Sequence, residues 1–435
     1  MAILQQRLVL DVEAACVAAF KTIPKKTIRI GKVQAMMIPK ERAEITAMRQ
    51  DCSHGKEDYQ IDENTFALFS PESAKLSNKL NFLDLTLPDS LYKTEDDPNN
   101  KLTWQAIRAA WLKILKEQDN TGFLLNLKSI MKSQVFYEDG FESDINMQIH
   151  RMISFSLLRV MICDLSDKEY KYLQQHILNQ LDNLVLLKQQ SALGKVQALW
   201  RNLRAAHVIK KAIKRRLQSS PDYHDLLQPV VDMYSKLGMD RALDAMMTVV
   251  TAITGPPGGV AVCMIAKLLQ SPDWQRKIIA ELDDLKPGEL PKLPFKSMPV
   301  LHGFIKESLR MWSVPIVFRE ARCPFSVGKF KISEGDTVFN SMYFLHRNEQ
   351  YWQSPHEFDP LRWQRDSVTA NAFVPFGWNP MTCIGAQLGT NQFALLIVLF
   401  LKELEVKDIA LDRLSYQNLN IPYVSGFKGK IVRKS

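Results

Sequence analysis

The sequence predicts a mainly α protein with a small β portion, folded as a single large domain over residues 1–435. Three observations predict it. Apolar residues recur at three- and four-residue spacing almost without pause over residues 123–228 and again over 237–269, the pattern of packed helices. Short β-like runs dominate only after Val314. No Gly/Ser linker or internal repeat marks a boundary, and a chain of 435 residues has ample core for one large helical domain.

In chain order, residues 27–38 carry short β-like runs and 39–49 read as a helix. Residues 70–100 hold Pro71, Pro88 and Pro98 among Asp and Asn, a loop composition, and 102–115 turn helical. Breaks near Asp139-Gly140, Asp164-Ser166 and Ser219-Pro221 divide the long helical region. Gly255-Pro256-Pro257-Gly258-Gly259 interrupts the second one. Two adjacent prolines remove backbone donors there and should kink or open the helix. Helices follow over 273–285 and 300–312, then strands over 316–319, 325–332 and 337–340. A Pro- and Trp-rich meander, 351–365, leads to a cysteine loop and a last apolar helix beginning near Ala386.

Composition excludes several classes. Hydrophobic residues make up 46% and charged residues 24%, as in ordinary globular proteins. The longest strongly apolar run, 393–401, is too short to span a bilayer, and the first twenty residues lack the pattern of a signal peptide. A cytoplasmic protein without a transmembrane anchor is the expectation. Six scattered cysteines without CxxC pairs suggest a reducing compartment and no zinc site. The formal charge of +9 suits an acidic partner or an anionic surface; the basic residues are too spread out to suggest nucleic acid. The run Lys210, Lys211, Lys214, Arg215, Arg216 reads best as a solvated helix face.

Chemistry concentrates around Cys383, in Phe376-Gly377-Trp378-Asn379-Pro380-Met381-Thr382-Cys383-Ile384-Gly385. A thiol at a helix N-terminus is expected to have a lowered pKa and to favour the metal-binding thiolate. Phe376 could shield the sulfur, and Gly385 would let a flat cofactor approach the backbone. Taken alone, the pattern also fits an inert buried cysteine. Upstream, Glu307 and Arg310 lie three apart on one helix face, and Arg362 could join that pair.

In this order, the residues resemble the cytochrome P-450 family of heme-thiolate enzymes over most of the chain. Glu307 and Arg310 match its Glu-x-x-Arg helix, Arg362 its meander, and Phe376, Gly377, Cys383 and Gly385 its cysteine loop. Trp104 and Arg108 match a Trp-x-x-x-Arg helix that contacts heme propionates; Arg319 matches another propionate-binding arginine, and His346-Arg347 the pair before the meander. The resemblance implies a cytochrome P-450-like fold. It also implies heme b (iron protoporphyrin IX) with Cys383 as axial iron ligand, and cofactor contacts from Trp104, Arg108, Arg319, Phe376, Cys383 and Gly385.

Departures from the family bear on mechanism. Asn379 replaces a glycine, Met381 replaces a basic residue, Leu361 and Trp363 alter the meander, and Gly389 and Gln392 replace an alanine and a glutamate. Gly255 and Pro256 stand where most monooxygenases of the family carry an acid and a threonine. Proline has no hydroxyl and no N–H, so Thr251 or Thr254, with carbonyls freed by the kink, would have to hold water. The candidate catalytic residues are thus Thr251, Thr254, Gly255 and Pro256. The resemblance implies a monooxygenase-type oxidoreductase acting on a hydrophobic small molecule, with electrons from a ferredoxin- or flavodoxin-type partner. The alternatives are a peroxide isomerase, dehydratase or peroxygenase needing no redox partner, and a non-catalytic binding domain.

Overall fold

The computed structural model describes residues 59–434 except 63–64, 69–81, 85–90, 92–99, 119, 136–142, 185–191, 220–222, 287, 315, 322, 366–367, 370–371, 378–381 and 419–420. The runs expected over 27–38 and 39–49, and Trp378, Asn379, Pro380 and Met381, lie outside the described residues.

Three short strands open the described chain: β1 (Tyr59–Asp62), β2 (Thr65–Leu68) and β3 (Phe82–Asp84). The helical body follows with α1 (Asn100–Glu117), α2 (Thr121–Ser133), α3 (Ile145–Met161), α4 (Asp167–Leu184) and α5 (Ala192–Ser219). Strand β4 (Ser143–Asp144) precedes α3. Sequence sets the ends of these helices: the Asn120 side chain accepts from the Phe123 N–H at 2.7 Å to start α2, and Asp144 accepts from Asn146 at 2.9 Å to start α3.

Short α6 (Leu227–Asp232) leads to α7 (Tyr234–Thr254) and α8 (Pro256–Leu269), which are divided at Gly255. Pro256 and Pro257 occupy the first turn of α8, where a missing N–H costs that helix nothing. They supply no N–H to the carbonyls of Ala252 and Ile253, four residues earlier, so the break frees acceptors as well as bending the path. Segment Tyr234–Leu269 is long and apolar enough to cross a membrane, exceeding the 393–401 run, but 72% of its apolar window is buried inside the protein, as in a core helix. It packs along α3, itself buried on nearly every side. The approach is close: a Cβ on Gly258 would fall 2.1 Å from Nδ1 of His150.

Helices α9 (Pro272–Asp283) and α10 (Pro299–Trp312) complete the body before the strands β5 (Ile316–Ala321), β6 (Phe325–Val327), β7 (Phe330–Ile332) and β8 (Thr337–Ser341). The last part holds α11 (Met342–Leu345), α12 (Arg362–Arg365) and α13 (Ala386–Val398). Strands β9 (Leu404–Lys407), β10 (Ser415–Asn418), β11 (Pro422–Ser425) and β12 (Lys428–Arg433) close it.

The main sheet has the order β1-β2-β8-β5-β3, with β2 parallel to β8 in the register Thr65 to Thr337. The expected strands after Val314 are present, but their sheet is completed by β1 and β2, to which no strand was assigned, and by β3 from the segment 70–100 read as loop. Those strands have three or four residues each, and β2 and β3 pair with β8 and β5 far along the chain, so local periodicity carries little trace of them. One large apolar core runs through the helices, and a small one, including Phe66, Leu68 and Val338, lies under the sheet.

Candidate active site

The site rests on α10. Its apolar face turns Glu307 and Arg310 inward with the core residues, and both are fully buried. Glu307 accepts at Oε2 from Arg310 Nε (3.0 Å) and Trp363 Nε1 (3.1 Å). At Oε1 it accepts from Arg310 Nη2 (2.8 Å), Arg362 Nε (3.1 Å) and the Asp359 N–H (3.0 Å). The remaining donors of Arg310 reach the carbonyls of His346, Pro355 and Glu357, and those of Arg362 the carbonyls of Gln353 and Ser354. Such saturation is what a buried ion cluster needs to offset its desolvation. Arg362 thus joins the Glu307–Arg310 pair as expected, and the meander 353–362 is fastened to α10.

From this cluster two contacts lead to the cysteine loop. His346 Nδ1 lies 3.0 Å from the Arg310 carbonyl, and its Nε2 accepts from the Val374 N–H at 3.0 Å. The ring is therefore neutral with its proton on Nδ1; burial, then the charges of Arg310 and Arg347, lower its pKa to about 3. Beside it, Phe373 packs on His346 and on Trp363, with ring centroids 5.6 Å and 4.4 Å apart. The loop then turns at Gly377, whose φ of +77° suits glycine. Its N–H donates to Val374 O at 3.0 Å, and the Cys383 N–H donates to Phe376 O at 2.8 Å. Arg108, on α1, donates to Thr382 O at 2.7 Å and clamps the loop from the other side.

Cys383 is solvent-accessible just before α13. The expected low thiol pKa is not what this environment produces. The protein packed around the sulfur pushes it up, and the Gly385 N–H and the Arg108 charge oppose without overcoming that effect. Coordination to a metal would itself ionise the thiol.

The residues present fit a heme. Among the described residues, a Cβ on Gly385 would touch only the Cys383 sulfur, at 3.8 Å, and one on Gly389 would meet nothing within 4 Å, which suits the approach of a flat group. Among the described residues no three His, Cys, Asp or Glu side chains are grouped to hold a metal. A single thiol donor suits an iron whose other ligands come from a macrocycle.

The other expected residues are scattered around this centre. Trp104 lies on α1 one turn before Arg108, and its side chain is outside the described residues. Arg319 is buried on β5, in register with Val338 and Asp84. Phe376 is half-buried against the main core. The two threonines face different ways. Thr251 is exposed, its hydroxyl on Met247 O at 3.0 Å. Thr254 is fully buried, its hydroxyl on Gln180 Oε1 (3.0 Å) and Val250 O (2.6 Å), while its carbonyl accepts from Ser154 Oγ. Gly255 is buried and Pro256 half-buried.

Sequence reasoning missed the hydrogen bond of Trp363 to Glu307 and the contact of Gln180 with Thr254, which join residues 56 and 74 positions apart. The basic run on α5 also needs correction. Lys211 and Lys214 are exposed, but Arg216 is buried against Asp225 and Asp164, and Arg215 bonds Asp164 and Glu169. A cleft of about 320 Å³ between α4 and α5, lined by residues such as Trp200 and Arg204, includes none of the site residues.

Residues 140–418 match the profile of the family described as Cytochrome P450. The chain is 24% identical over 282 residues to cyclooctat-9-en-7-ol 5-monooxygenase of Streptomyces melanosporofaciens, covering 60% of this chain and 61% of that protein. It is 26% identical over 173 residues to the chloroplastic carotene epsilon-monooxygenase of Arabidopsis thaliana, covering 38% and 32%. These matches span less than two thirds of either relative. The crystal structure of the cytochrome P450DA heme domain superposes with a TM-score of 0.72 at 18% identity, covering 90% of this chain and 92% of that one.

Proposed function

This chain belongs to the cytochrome P450 family, and on that premise we propose that it is a heme b-dependent monooxygenase that oxidises a hydrophobic small molecule in the cytoplasm. Its electrons come from a ferredoxin- or flavodoxin-type donor. The observation that carries the proposal is the accessible Cys383 thiol, set at the start of α13 by a loop that Arg108 clamps and the buried Glu307 cluster supports. When bound, the heme supplies an iron centre whose thiolate ligand favours O–O cleavage.

The chain's own residues bind, shield and hold water. Cys383 would hold the iron through its sulfur, with Phe376 and Gly385 beside it in the loop. Arg108 and Arg319, with Trp104, would hold the propionates through planar guanidinium and N–H donors, a larger share than usual because Met381 offers no charge. At the helix break, the exposed Thr251 hydroxyl and the carbonyls of Ala252 and Ile253 would be the groups to hold water and protons; Pro256 has no proton to donate. Thr254 is engaged with Gln180 and acts as a support for the break.

A second reading follows from Gly255-Pro256: without an acid and a hydroxyl there, the site suits peroxide isomerisation, dehydration or peroxygenation, none of which needs a redox partner. One experiment separates the two. Purified, reduced, carbon monoxide-treated protein should show the Soret band characteristic of thiolate ligation; its absence in heme-loaded protein overturns both readings. A substrate panel then follows, headed by polycyclic alcohols and carotenoids, because two relatives are named as monooxygenases of cyclooctat-9-en-7-ol and of carotene. Turnover only with dioxygen and an electron-donor system supports the monooxygenase. Turnover of a hydroperoxide alone, or with hydrogen peroxide, supports the second reading.

A further inference from the structure

We propose that Trp363 is a positioning residue for Cys383, coupling the buried Glu307 cluster to the base of the cysteine loop. The inference rests on the assignment of Cys383 as the iron ligand. Trp363 makes two directed contacts. Its indole Nε1 donates to Glu307 Oε2 at 3.1 Å, and its ring packs on Phe373 with centroids 4.4 Å apart. Phe373 is followed by Val374, whose N–H is fixed by His346 and whose carbonyl accepts from Gly377. A shift of the Trp363 ring therefore displaces the first residue of the stem that carries Cys383.

Glu307 does not need this hydrogen bond to stay satisfied. Arg310 holds both of its oxygens, and Arg362 and the Asp359 N–H hold one. What the indole adds is orientation. A phenyl ring at the same place would keep the apolar packing but could rotate or slide, because nothing would tie its edge to the carboxylate. The ring is further bracketed by Trp352, edge-on at 5.6 Å with an interplanar angle of 63°, and by the Lys306 ammonium at 5.0 Å. Trp363 is thus held by Glu307 of the ion cluster, Trp352 of the meander and Lys306 of α10, and Phe373 contacts it from the loop.

The test compares Trp363→Phe with Leu173→Ala, a buried core change on α4, a helix that packs on α3, α5 and α7. Two readouts are taken on full-length protein: hydrogen exchange of the peptide spanning 372–385, and the fraction of the ferrous carbonyl complex in the thiolate-ligated form after mild urea. Expected for Trp363→Phe is about tenfold faster exchange at the Val374 and Cys383 amides. A larger loss of thiolate ligation than in Leu173→Ala, at matched melting temperature, should accompany it. Trp363→His, which keeps a ring N–H, should recover part of the protection.

The inference is overturned if exchange and ligation in Trp363→Phe equal those of the unmodified protein. It is equally overturned if Leu173→Ala reproduces the whole effect, because the role would then be global stability. If the unmodified protein lacks thiolate ligation while containing heme, the assignment of Cys383 fails and this inference fails with it. A normal unmodified protein with an unresponsive Trp363→Phe defeats the positioning role alone.

Discussion

Glu307 accepts five hydrogen bonds without any exposed surface, so its loss strands two guanidinium groups in the core. Glu307→Ala should lower the unfolding free energy by about 3–5 kcal/mol, the usual range for one partner removed from a buried pair. Urea unfolding monitored by circular dichroism measures it; a loss near that of an exposed pair, under about 1 kcal/mol, would contradict the burial. The sequence spacing made Glu307, Arg310 and Arg362 legible because the arginine fork and carboxylate are matched groups. Trp363 was visible only as a departure from a pattern. Its partner lies 56 residues away, and nothing local signals which way an indole N–H points. Likewise Thr251 and Thr254 were interchangeable in the sequence, while the helix places one in solvent and the other on Gln180.

At the scale of elements, the helix break was legible and the sheet was not. Gly255-Pro256-Pro257 removes donors wherever the chain goes, so the division of α7 from α8 follows from covalent structure. Strand β2 has β1 on one side and β8 on the other, and the pairing with distant β8 is one that only tertiary packing selects. The Gly258 contact shows the same dependence. An added methyl would sit 2.1 Å from Nδ1 and 2.7 Å from Cε1 of the His150 ring, and the ring is fully buried. Gly258→Ala should therefore force α3 and α8 apart and cost about 1–3 kcal/mol. Thermal unfolding reads it. Adding His150→Ala should restore part of the loss, a coupling expected only for residues in contact.

For the whole molecule, the buried histidines set a pH window. Burial lowers the pKa of His150 and of His176 to about 4, against an ordinary 6.5, and His346 is lower still, at about 3. Below pH 6.5 the unfolded chain binds protons that the folded chain refuses. Stability is therefore full above 6.5 and falls as pH drops toward about 4. The lowered carboxylates Asp164, Glu169 and Glu403 act in the same direction, but only below their ordinary values of 3.8 to 4.5. Urea midpoints measured from pH 7 to pH 5 should decline in the unmodified protein and decline less in His150→Asn. A flat profile would show that these rings already accept protons in the fold.

The clamp on the cysteine loop has a consequence for the order of assembly. Arg108 and Thr382 are 274 residues apart, and the tie of Asn146 to Val424 spans 278. During synthesis, α1 and α3 leave the ribosome long before the segment that meets them. Until then the N-terminal half has no thiol loop to hold, and β2 has only β1 beside it, without β8. Capture of the prosthetic group is therefore among the last events in the life of the nascent chain, and the early helices must wait in a partly open state that chaperones would recognise.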